Sequence, residues 1–341
     1  MATTATVLEA QGNIREDLGN VIFNVSPYQT PFTSGITSAK ATADNHEWLT
    51  DSFAPSTGSN GVLEAQDVSG TSNGSTRVRL GNYVQIAQKT VQVTQKAEMF
   101  DRAGVPGKEM AYQLMKLGKE LQMDVERQTL SIYREAPSAG TTRSTKVAAG
   151  AATIGRSGAF PYYISLADNQ SVGSAGGGAK NADNNGAGAT LVPGTAAALS
   201  QTTLDGLLDS VWNGSGDFAN VKMMASAAVV GRIRKLTGMA TNVDTNASSN
   251  EIIDRVAVYQ SQFGPIAVVP NKHMPANTLY IADMSSWGLA FGGGKKIHTT
   301  DIATQASAEQ KLLECYYTLE ARSEAANAAY YAISTTAAPV A

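Results

Sequence analysis

The chain is 341 residues long, has a formal net charge of −3, and carries charged side chains at only 16% of its positions. Soluble domains usually carry roughly 25% charged residues, so the composition favours a surface largely covered by further copies of the chain, although a secreted or β-rich adhesive protein would look similar. The charge argues against sequence-independent DNA binding through phosphate neutralisation, and a single cysteine, Cys315, excludes an internal disulfide.

The segment Met1–Lys40 shows few periodic signals. Pro27 and Pro31 interrupt it, and a short turn or helix is predicted only at Asn13–Asn20. Because it has too little apolar surface to fold alone, we predict an extended arm that is ordered by lying on another surface. The first residues form neither a basic region nor an apolar core, and the apolar stretch around Val221–Val230 is too short to span a bilayer, so we expect no export and no membrane partner.

Two runs with a period of two follow, at His46–Phe53 and Thr76–Gln95. Apolar side chains alternate in the second run and then change phase: Val78, Leu80, Val84 and Ile86, followed by Val91 and Val93. The change of phase predicts a bend or bulge near Ala87–Thr90. Turn residues fill Ala54–Ser75, so the two runs are predicted to form a long antiparallel hairpin with a polar tip. Such a hairpin is only marginally stable alone, so it must rest on a partner.

The stretch Glu109–Glu135 is predicted to form one long helix that begins after Pro106 and ends before Pro137. At about 1.5 Å per residue it would be roughly 40 Å long, which suits a scaffold better than a pocket. Its predicted buried stripe repeats every three or four residues: Met110, Leu114, Leu117, Leu121, Val125, Thr129 and Ile132. The opposite face is charged, with predicted surface ion pairs Lys116/Glu120 and Asp124/Arg127.

The stretch Ala136–Ser200 is dominated by Ala, Gly, Ser, Thr and Asn. We predict a long surface excursion with little core of its own and one strand at Phe160–Leu166. Globular signals return at residue 202, with predicted helices at Leu204–Trp212 and Ala225–Leu236 and predicted strands at Arg255–Ser261, Ile266–Val269 and Leu279–Ala282.

The last strong pattern is Lys311–Glu324, a predicted long strand with one solvent-exposed face. Its apolar side chains are Leu313, Cys315, Tyr317, Leu319 and Ala321, and its outward side chains are Glu314, Thr318, Glu320 and Arg322. A shorter apolar run, Ala328–Ile333, is predicted to pair with this strand. No internal repeat is found.

Three glycine-rich motifs carry little support for chemistry. Gly70–Gly74 matches the GxSxG elbow of serine hydrolases, but it lies in a polar tip followed by a strand, which favours a solvated turn. Phe291–Lys296 lacks the first glycine and the Ser/Thr of a phosphate loop, so a flexible loop is predicted. Asn181–Gly186 resembles the start of a calcium loop, but Val192 stands where the bidentate Glu belongs.

The remaining reactive side chains form no recognisable site. His46, His273 and His298 have no zinc-site spacing, and each is expected to be a hydrogen-bonded structural residue. Cys315 lies in an apolar strand, which favours a buried inert thiol. We therefore predict no catalytic residue, no metal and no cofactor.

Several phrases of the sequence, taken together, resemble the major capsid proteins of tailed bacteriophages with the Hong Kong 97 phage fold. They lie at Arg15–Leu18, Ser26–Phe32, His46–Trp48, Ala103–Gln113 and Tyr317–Glu324 and bracket nearly the whole chain. The biased stretch 136–200 has no match.

The resemblance implies an α+β capsid fold with four parts. They are an N-terminal arm at 1–40, an E-loop hairpin at 41–95, a peripheral domain at 96–136 and 302–341 built on the spine helix, and an axial domain at 137–301 that includes the biased insertion. Some relatives carry a built-in N-terminal scaffold, whereas here the arm begins at once, so a separate scaffolding protein is expected. Some relatives cross-link an E-loop lysine, but no lysine lies between Lys40 and Lys89, so we expect a non-covalent shell.

The predicted function is that of a major capsid protein whose pentamers and hexamers enclose double-stranded DNA in an icosahedral head, assembled in the cytoplasm of the host bacterium. The expected partners are further copies, a scaffolding protein, a portal, a decoration protein where the head carries one, and packaged DNA as a non-specific neighbour. Candidate intersubunit residues are Arg15, Glu16, Asp17, Arg77 and Arg79. Three alternatives stay open: an encapsulin-like compartment, a hydrolase using Ser72, and a β-rich adhesin or tail component.

Overall fold

The structure is a computed structural model of the chain. It describes residues 29–51, 53, 58, 61, 63–65, 77–100, 108–131, 146–164, 169–171, 195–215, 217–236, 258–305 and 307–340. The predicted helix at Asn13–Asn20, the GxSxG and calcium-like motifs, and most of the hairpin tip lie outside these residues.

The described chain contains thirteen strands and four α-helices, so the predicted α+β class is confirmed. In chain order the strands are β1 (Thr37–Ala41), β2 (Asn45–Thr50), β3 (Val78–Tyr83), β4 (Gln85–Thr94), β5 (Gln170–Ser171), β6 (Val221–Ala225), β7 (Val258–Ser261), β8 (Gly264–Pro270), β9 (Leu279–Asp283), β10 (Trp287–Gly292), β11 (Ile297–Gln305), β12 (Ala308–Ala321) and β13 (Ala328–Tyr330). The helices are α1 (Gln95–Met99), α2 (Glu109–Leu130), α3 (Gln201–Ser215) and α4 (Ala227–Ile233).

The long strand β12 is the centre of the first sheet. It pairs antiparallel with β4 along one edge and with β10 and then β11 along the other, since Tyr317 is opposite both Gln85 and Phe291. β1 adds to β10 in parallel. The predicted inward side chains of β12 are buried. The other face is less exposed than predicted, because Thr318 is fully buried close to the Ser157 hydroxyl.

The second sheet has the order β5-β13-β9-β6-β8-β7. Its central strands are buried on both faces, so their residues alternate between two cores rather than between core and solvent. Met223 and Ile281 pack in a core with α3 and α4, whereas Met224 and Tyr280 pack in the core that includes α2 and β12. This two-sided burial explains why β6, in the apolar stretch Val221–Val230, shows no period of two.

Helix α2 confirms the predicted stripe, because Met110, Leu121, Val125 and Thr129 are buried. The helix ends at Leu130 rather than at Glu135, with Ser131 already extended. The Tyr280 hydroxyl donates to the Leu130 carbonyl at 3.0 Å and satisfies the helix end. The predicted surface pairs are replaced by Lys89 of β4, which lies 3.3 Å from Glu120 and 2.9 Å from Asp124.

The predicted bend near Ala87–Thr90 is misplaced. β4 is continuous through these residues, and the break is at Val84, between β3 and β4. Even-numbered apolar residues such as Leu80 are buried before Val84, whereas odd-numbered ones such as Val91 and Val93 are buried after it. Ile86 is therefore exposed, although it continues the apolar alternation of β3. Val84 separates two roles, since β4 belongs to the trunk sheet and β3 pairs with β2 in the hairpin.

The prediction that the biased stretch Ala136–Ser200 has little core is wrong for its described part. Phe160–Tyr162 is a 3-10 turn rather than a strand, and Phe160, Tyr163 and Ile164 are completely buried. Phe160 stacks between Tyr280 and Trp287, with ring centroids 4.5 and 4.6 Å away. A few aromatic residues thus place this segment in the centre of the main core, even though its composition is that of a surface loop.

Three further differences concern the C-terminal half. Ala328–Ile333 does not pair with β12, since β13 joins β9 and β5 of the second sheet. The buried Asn327 side chain fixes this departure by binding Ser286, Ser323, Asp283 and Trp287. Strands β10 and β11 were not predicted from the sequence. The segment Phe291–Lys296, predicted to be a flexible loop, forms the tight turn between these two strands, with Gly293 and Gly294 at positive φ.

Candidate functional site: a projecting hairpin and its root

Strands β2 and β3 form a two-stranded antiparallel sheet, which confirms the body of the predicted hairpin. The register places Trp48 opposite Leu80, Leu49 opposite Arg79 and Thr50 opposite Val78. We call Asn45–Trp48 with Leu80–Tyr83 the hairpin root, and Leu49–Asp51 with Arg77–Arg79 the outer hairpin. The two halves differ sharply in burial.

The root is fixed to the trunk by a fully buried amide. Asn82 donates from Nδ2 to the carbonyl of Leu319 on β12 at 2.7 Å, to Ser157 Oγ at 2.9 Å and to the Gly158 carbonyl at 3.2 Å. Its Oδ1 accepts from the Gly158 N–H at 2.8 Å. A single side chain of the hairpin therefore bridges the central strand and the segment 157–158.

Gly81 and Trp48 also connect the root to the trunk. The Gly81 carbonyl accepts from Lys146 Nζ at 2.8 Å and from the Tyr163 hydroxyl at 3.2 Å, and a Cβ at Gly81 would lie 2.8 Å from Glu47 Cγ. Burial lowers the pKa of Lys146, and the charge of Glu47 opposes that shift. Trp48 donates from Nε1 to the Ala321 carbonyl at 2.7 Å.

The outer hairpin presents apolar and charged side chains to solvent. Leu49 is 65% exposed, Val78 is 47% exposed, and Phe53 beyond the strand is fully exposed. On the face that carries Leu49, Arg79 pairs with Glu47 and Arg77 lies 3.6 Å from Asp51. These exposed pairs are worth at most about 1 kcal/mol each. Exposed apolar residues on a thin projection are typical of a surface meant to be covered by another molecule.

The five candidate intersubunit residues are not brought together. Arg15, Glu16 and Asp17 lie outside the described residues. Arg77 and Arg79 both lie on the outer hairpin, where they pair with acids of their own chain. Their role toward a neighbouring subunit stays a prediction.

A second anchor, at the base of the arm, has no signal in the sequence. Glu126 of α2 is completely buried, and it accepts from the backbone N–H groups of Phe32 at 3.0 Å and Thr33 at 2.8 Å, and from Asn271 Nδ2 at 2.7 Å. Phe32 packs edge-on to Phe160 and Trp287. The described end of the predicted arm, residues 29–40, is therefore part of the trunk.

The reactive side chains occupy separate structural positions. Cys315 is buried, and burial raises its pKa to about 11, which makes the thiolate inaccessible near neutral pH. His46 lies 3.6 Å from Glu320, and His298 lies 3.7 Å from Glu314. Within the described ranges, no group of three or more His, Cys, Asp or Glu side chains could hold a metal ion, and no helix is long and apolar enough to cross a membrane.

A trunk of two sheets around a rod-like helix, with a thin hairpin that exposes apolar side chains, is typical of a structural protein that binds further copies of itself. The chain belongs to the SU10 major capsid protein family, whose model matches residues 1–334.

The comparisons with individual proteins agree with the family. The major capsid protein of Escherichia phage Phieco32 is 31% identical over 121 residues, which is 36% of this chain and 34% of that relative. The chain therefore matches about a third of the relative's length. In structure, the chain resembles the cyanophage A-1(L) capsid (TM-score 0.62, 13% identity, 96% of this chain and 99% of that one) and the capsid of a native GTA particle (TM-score 0.60, 14% identity, 97% and 100%).

These likenesses show the Hong Kong 97 capsid fold, as the sequence predicts. The encapsulin of Synechococcus elongatus PCC 7942 has the same fold, with a TM-score of 0.50 and 9% identity over 99% of this chain and 98% of that one. Because capsids and an encapsulin share the fold, the fold alone does not separate them. The family match favours the capsid.

Proposed function

We propose that this chain assembles into pentamers and hexamers of an icosahedral phage head that encloses double-stranded DNA. The observation that carries the proposal is the outer hairpin, which exposes Leu49 and Val78 on a projection without a core, with the exposed Phe53 just beyond it. Burying such side chains stabilises by about 25 cal/mol per Å² of apolar surface. A neighbouring subunit is the partner that every copy of a shell protein meets.

The proposal keeps the four parts expected from the sequence but changes three of their assignments. Strands β10 and β11 pair with β12 or β1, so we place the peripheral domain from Trp287 onward rather than from Ile302. The axial domain is then built on the second sheet with α3 and α4, and β13 returns to it. The arm is limited to the residues before Gln29.

The proposed partners are a scaffolding protein, a portal, and a decoration protein where the head carries one. Packaged DNA is a non-specific neighbour, which suits a net charge of −3. No enzymatic step belongs to the proposal, since the shell is held by contacts that bury surface between copies. The shell is non-covalent, so denaturing electrophoresis of whole particles should give a single monomer band and no ladder of multimers.

The test is a substitution that places a charge in the proposed contact without touching the fold. Leu49→Arg lies on an exposed strand position, so the folded chain should keep its Tm within about 1 °C, because surface substitutions usually change stability by less than about 0.5 kcal/mol. Native mass spectrometry and sedimentation should show pentamers, hexamers or shells for the unaltered chain and monomers for Leu49→Arg.

A matched control is Val258→Arg, which is also an exposed strand position, at 44%, but lies on β7 of the second sheet. It should assemble as the unaltered chain does. If Leu49→Arg also assembles normally, or if the unaltered chain is monomeric at every concentration tried, the proposed function is wrong.

A further inference from the structure

We infer that Asn82 is the positioning residue of the hairpin: its buried amide sets the direction in which the hairpin leaves the trunk, and thereby whether the hairpin can reach a neighbouring subunit. The inference rests on the proposed function and names the side chain that prepares the hairpin for it. It concerns the root alone and is separate from the contacts of the outer hairpin.

The first step is that the hairpin meets the trunk at its root, where the Val84 N–H donates to the Asp44 carbonyl at 2.8 Å and side chains of the root reach β12. β3 leaves the trunk at Val84, where the strand pairing changes from β12 to β2. At such a change the backbone alone allows a range of angles. The orientation must then come from side chains that reach back to the trunk.

The second step is that both polar groups of the Asn82 amide, the NH₂ and the carbonyl oxygen, are hydrogen-bonded across that junction. Its two N–H bonds and its carbonyl oxygen meet Leu319, Ser157 and Gly158, at distances of 2.7 to 3.2 Å. The Leu319 carbonyl belongs to β12, and the other partners belong to a segment 75 positions away in the sequence. Small planar amides with every group paired hold one orientation, since any rotation leaves a buried polar group unpaired.

The third step is that the network continues beyond Asn82. Ser157 Oγ also accepts from the Leu319 N–H at 3.2 Å, and the Ser157 N–H donates to Gln85 Oε1 at 3.2 Å. Residue 157 thus links both sides of Val84 to β12. Trp48 adds a third tie on the partner strand β2 through the Ala321 carbonyl.

The chain offers a matched control in Asn327. This side chain is also 0% exposed and also makes four hydrogen bonds, to Ser286 and Ser323 through Nδ2 and from Asp283 and Trp287 through Oδ1. It lies wholly within the trunk. Asn82→Ala and Asn327→Ala should therefore lower the Tm by similar amounts, while only Asn82→Ala should release the hairpin.

The direct readout is the distance between hairpin and trunk. Nitroxide labels are placed at Leu49→Cys and Ile302→Cys, both exposed, while the buried Cys315 stays unlabelled. Pulsed electron paramagnetic resonance on labelled chain diluted in unlabelled chain gives the intrachain distance. The doubly labelled chain without further substitution and the doubly labelled Asn327→Ala chain should each give one narrow distribution of label-to-label distances. The doubly labelled Asn82→Ala chain should give a broad distribution.

The second readout is assembly below the Tm of both variants. The amount of pentamers, hexamers and shells formed by Asn82→Ala should be at least tenfold lower than for the unaltered chain. Asn327→Ala should form as much of them as the unaltered chain does. If Asn82→Ala does not fold, Ser157→Ala removes one partner of the same amide and should broaden the distribution partially.

A narrow distribution in a folded Asn82→Ala or Ser157→Ala chain overturns the inference, as does an equal loss of assembly in the Asn82 and Asn327 variants. Failure of the unaltered chain to assemble overturns the proposed function instead. The distance measurement still decides the role of Asn82 in that case.

Discussion

Glu126→Gln tests how the segment at the base of the arm, Phe32 and Thr33, is fastened to α2. The carboxylate accepts three hydrogen bonds, two at Oε1 from Phe32 N and Asn271 Nδ2 and one at Oε2 from Thr33 N. A glutamine of the same shape has one acceptor oxygen and one NH₂ group. Whichever way the amide lies, at least one buried N–H donor then faces another donor.

The magnitude follows from that geometry. Hydrogen bonds to a charged group contribute about 1.5–3 kcal/mol, and a buried donor left without an acceptor costs about 1–3 kcal/mol. Losing one of three such bonds and weakening the others should lower the free energy of unfolding by about 2–4 kcal/mol. At roughly 2–4 °C per kcal/mol for a large domain, the Tm should fall by on the order of 5–10 °C.

The assay is thermal unfolding at neutral pH, followed by circular dichroism. Glu120→Gln is the control, because it makes the same chemical change on the same helix where the carboxylate is partly exposed and meets Lys89 at 3.3 Å. That variant should lose less than about 1 kcal/mol. If Glu126→Gln is no less stable than Glu120→Gln, the buried carboxylate does not hold the arm.

Three further predictions concern the hairpin, acid sensitivity and the thiol. Arg79→Glu should weaken assembly, and adding Glu47→Arg, which exchanges the two charges, should restore assembly because the pair lies within one hairpin. If the double variant still does not assemble, the acid that matters for Arg79 belongs to the neighbouring subunit. Burial lowers the pKa of His273, so its contribution to stability is present above about pH 6.5 and lost as the pH falls below it. His273→Asn should therefore reduce the slope of unfolding free energy against pH in this acid range by at most about 1.4 kcal/mol per pH unit, while the control His298→Asn should keep the part of the slope that comes from His273. Equal slopes for the His273 variant and the unaltered chain would contradict this prediction. Cys315 should react with a thiol reagent only when the chain unfolds. Rapid labelling of the folded chain would contradict this, because it would show that the Cys315 thiol on β12 is accessible to solvent.

Periodic patterns predicted the parts of the fold that have one buried face. The stripe Met110 to Thr129 places α2 correctly, and the alternation from Leu313 to Ala321 places β12, because in both the apolar side chains share the face that meets the core. The antiparallel pairing of β2 with β3 follows from turn residues between two alternating runs.

The failures have a common physical origin. Phe160 and Tyr163 are core residues in a segment whose composition is that of a loop, and they are buried by rings distant in sequence, among them Tyr280 and Trp287. Asn82 and Glu126 look like ordinary surface residues in the sequence. Their partners are as far as 237 and 145 positions away, and no local pattern encodes such distances.

The family-specific phrases carried the functional prediction, because composition left an adhesin open and the motif at Ser72 left a hydrolase open. The family match over residues 1–334 agrees with them. The candidate residues Arg77 and Arg79 were found from charge on the hairpin, but their pairing with Asp51 and Glu47 required the register of β2 and β3.

The central claim is that the outer hairpin is stabilised by a neighbouring copy. Electron cryo-microscopy of particles formed by the full chain tests it most directly. The account predicts closed shells in which Leu49 and Val78, exposed in the single chain, are buried against an adjacent subunit. A compact monomer in solution, with the hairpin folded against its own trunk and these side chains covered there, would contradict it.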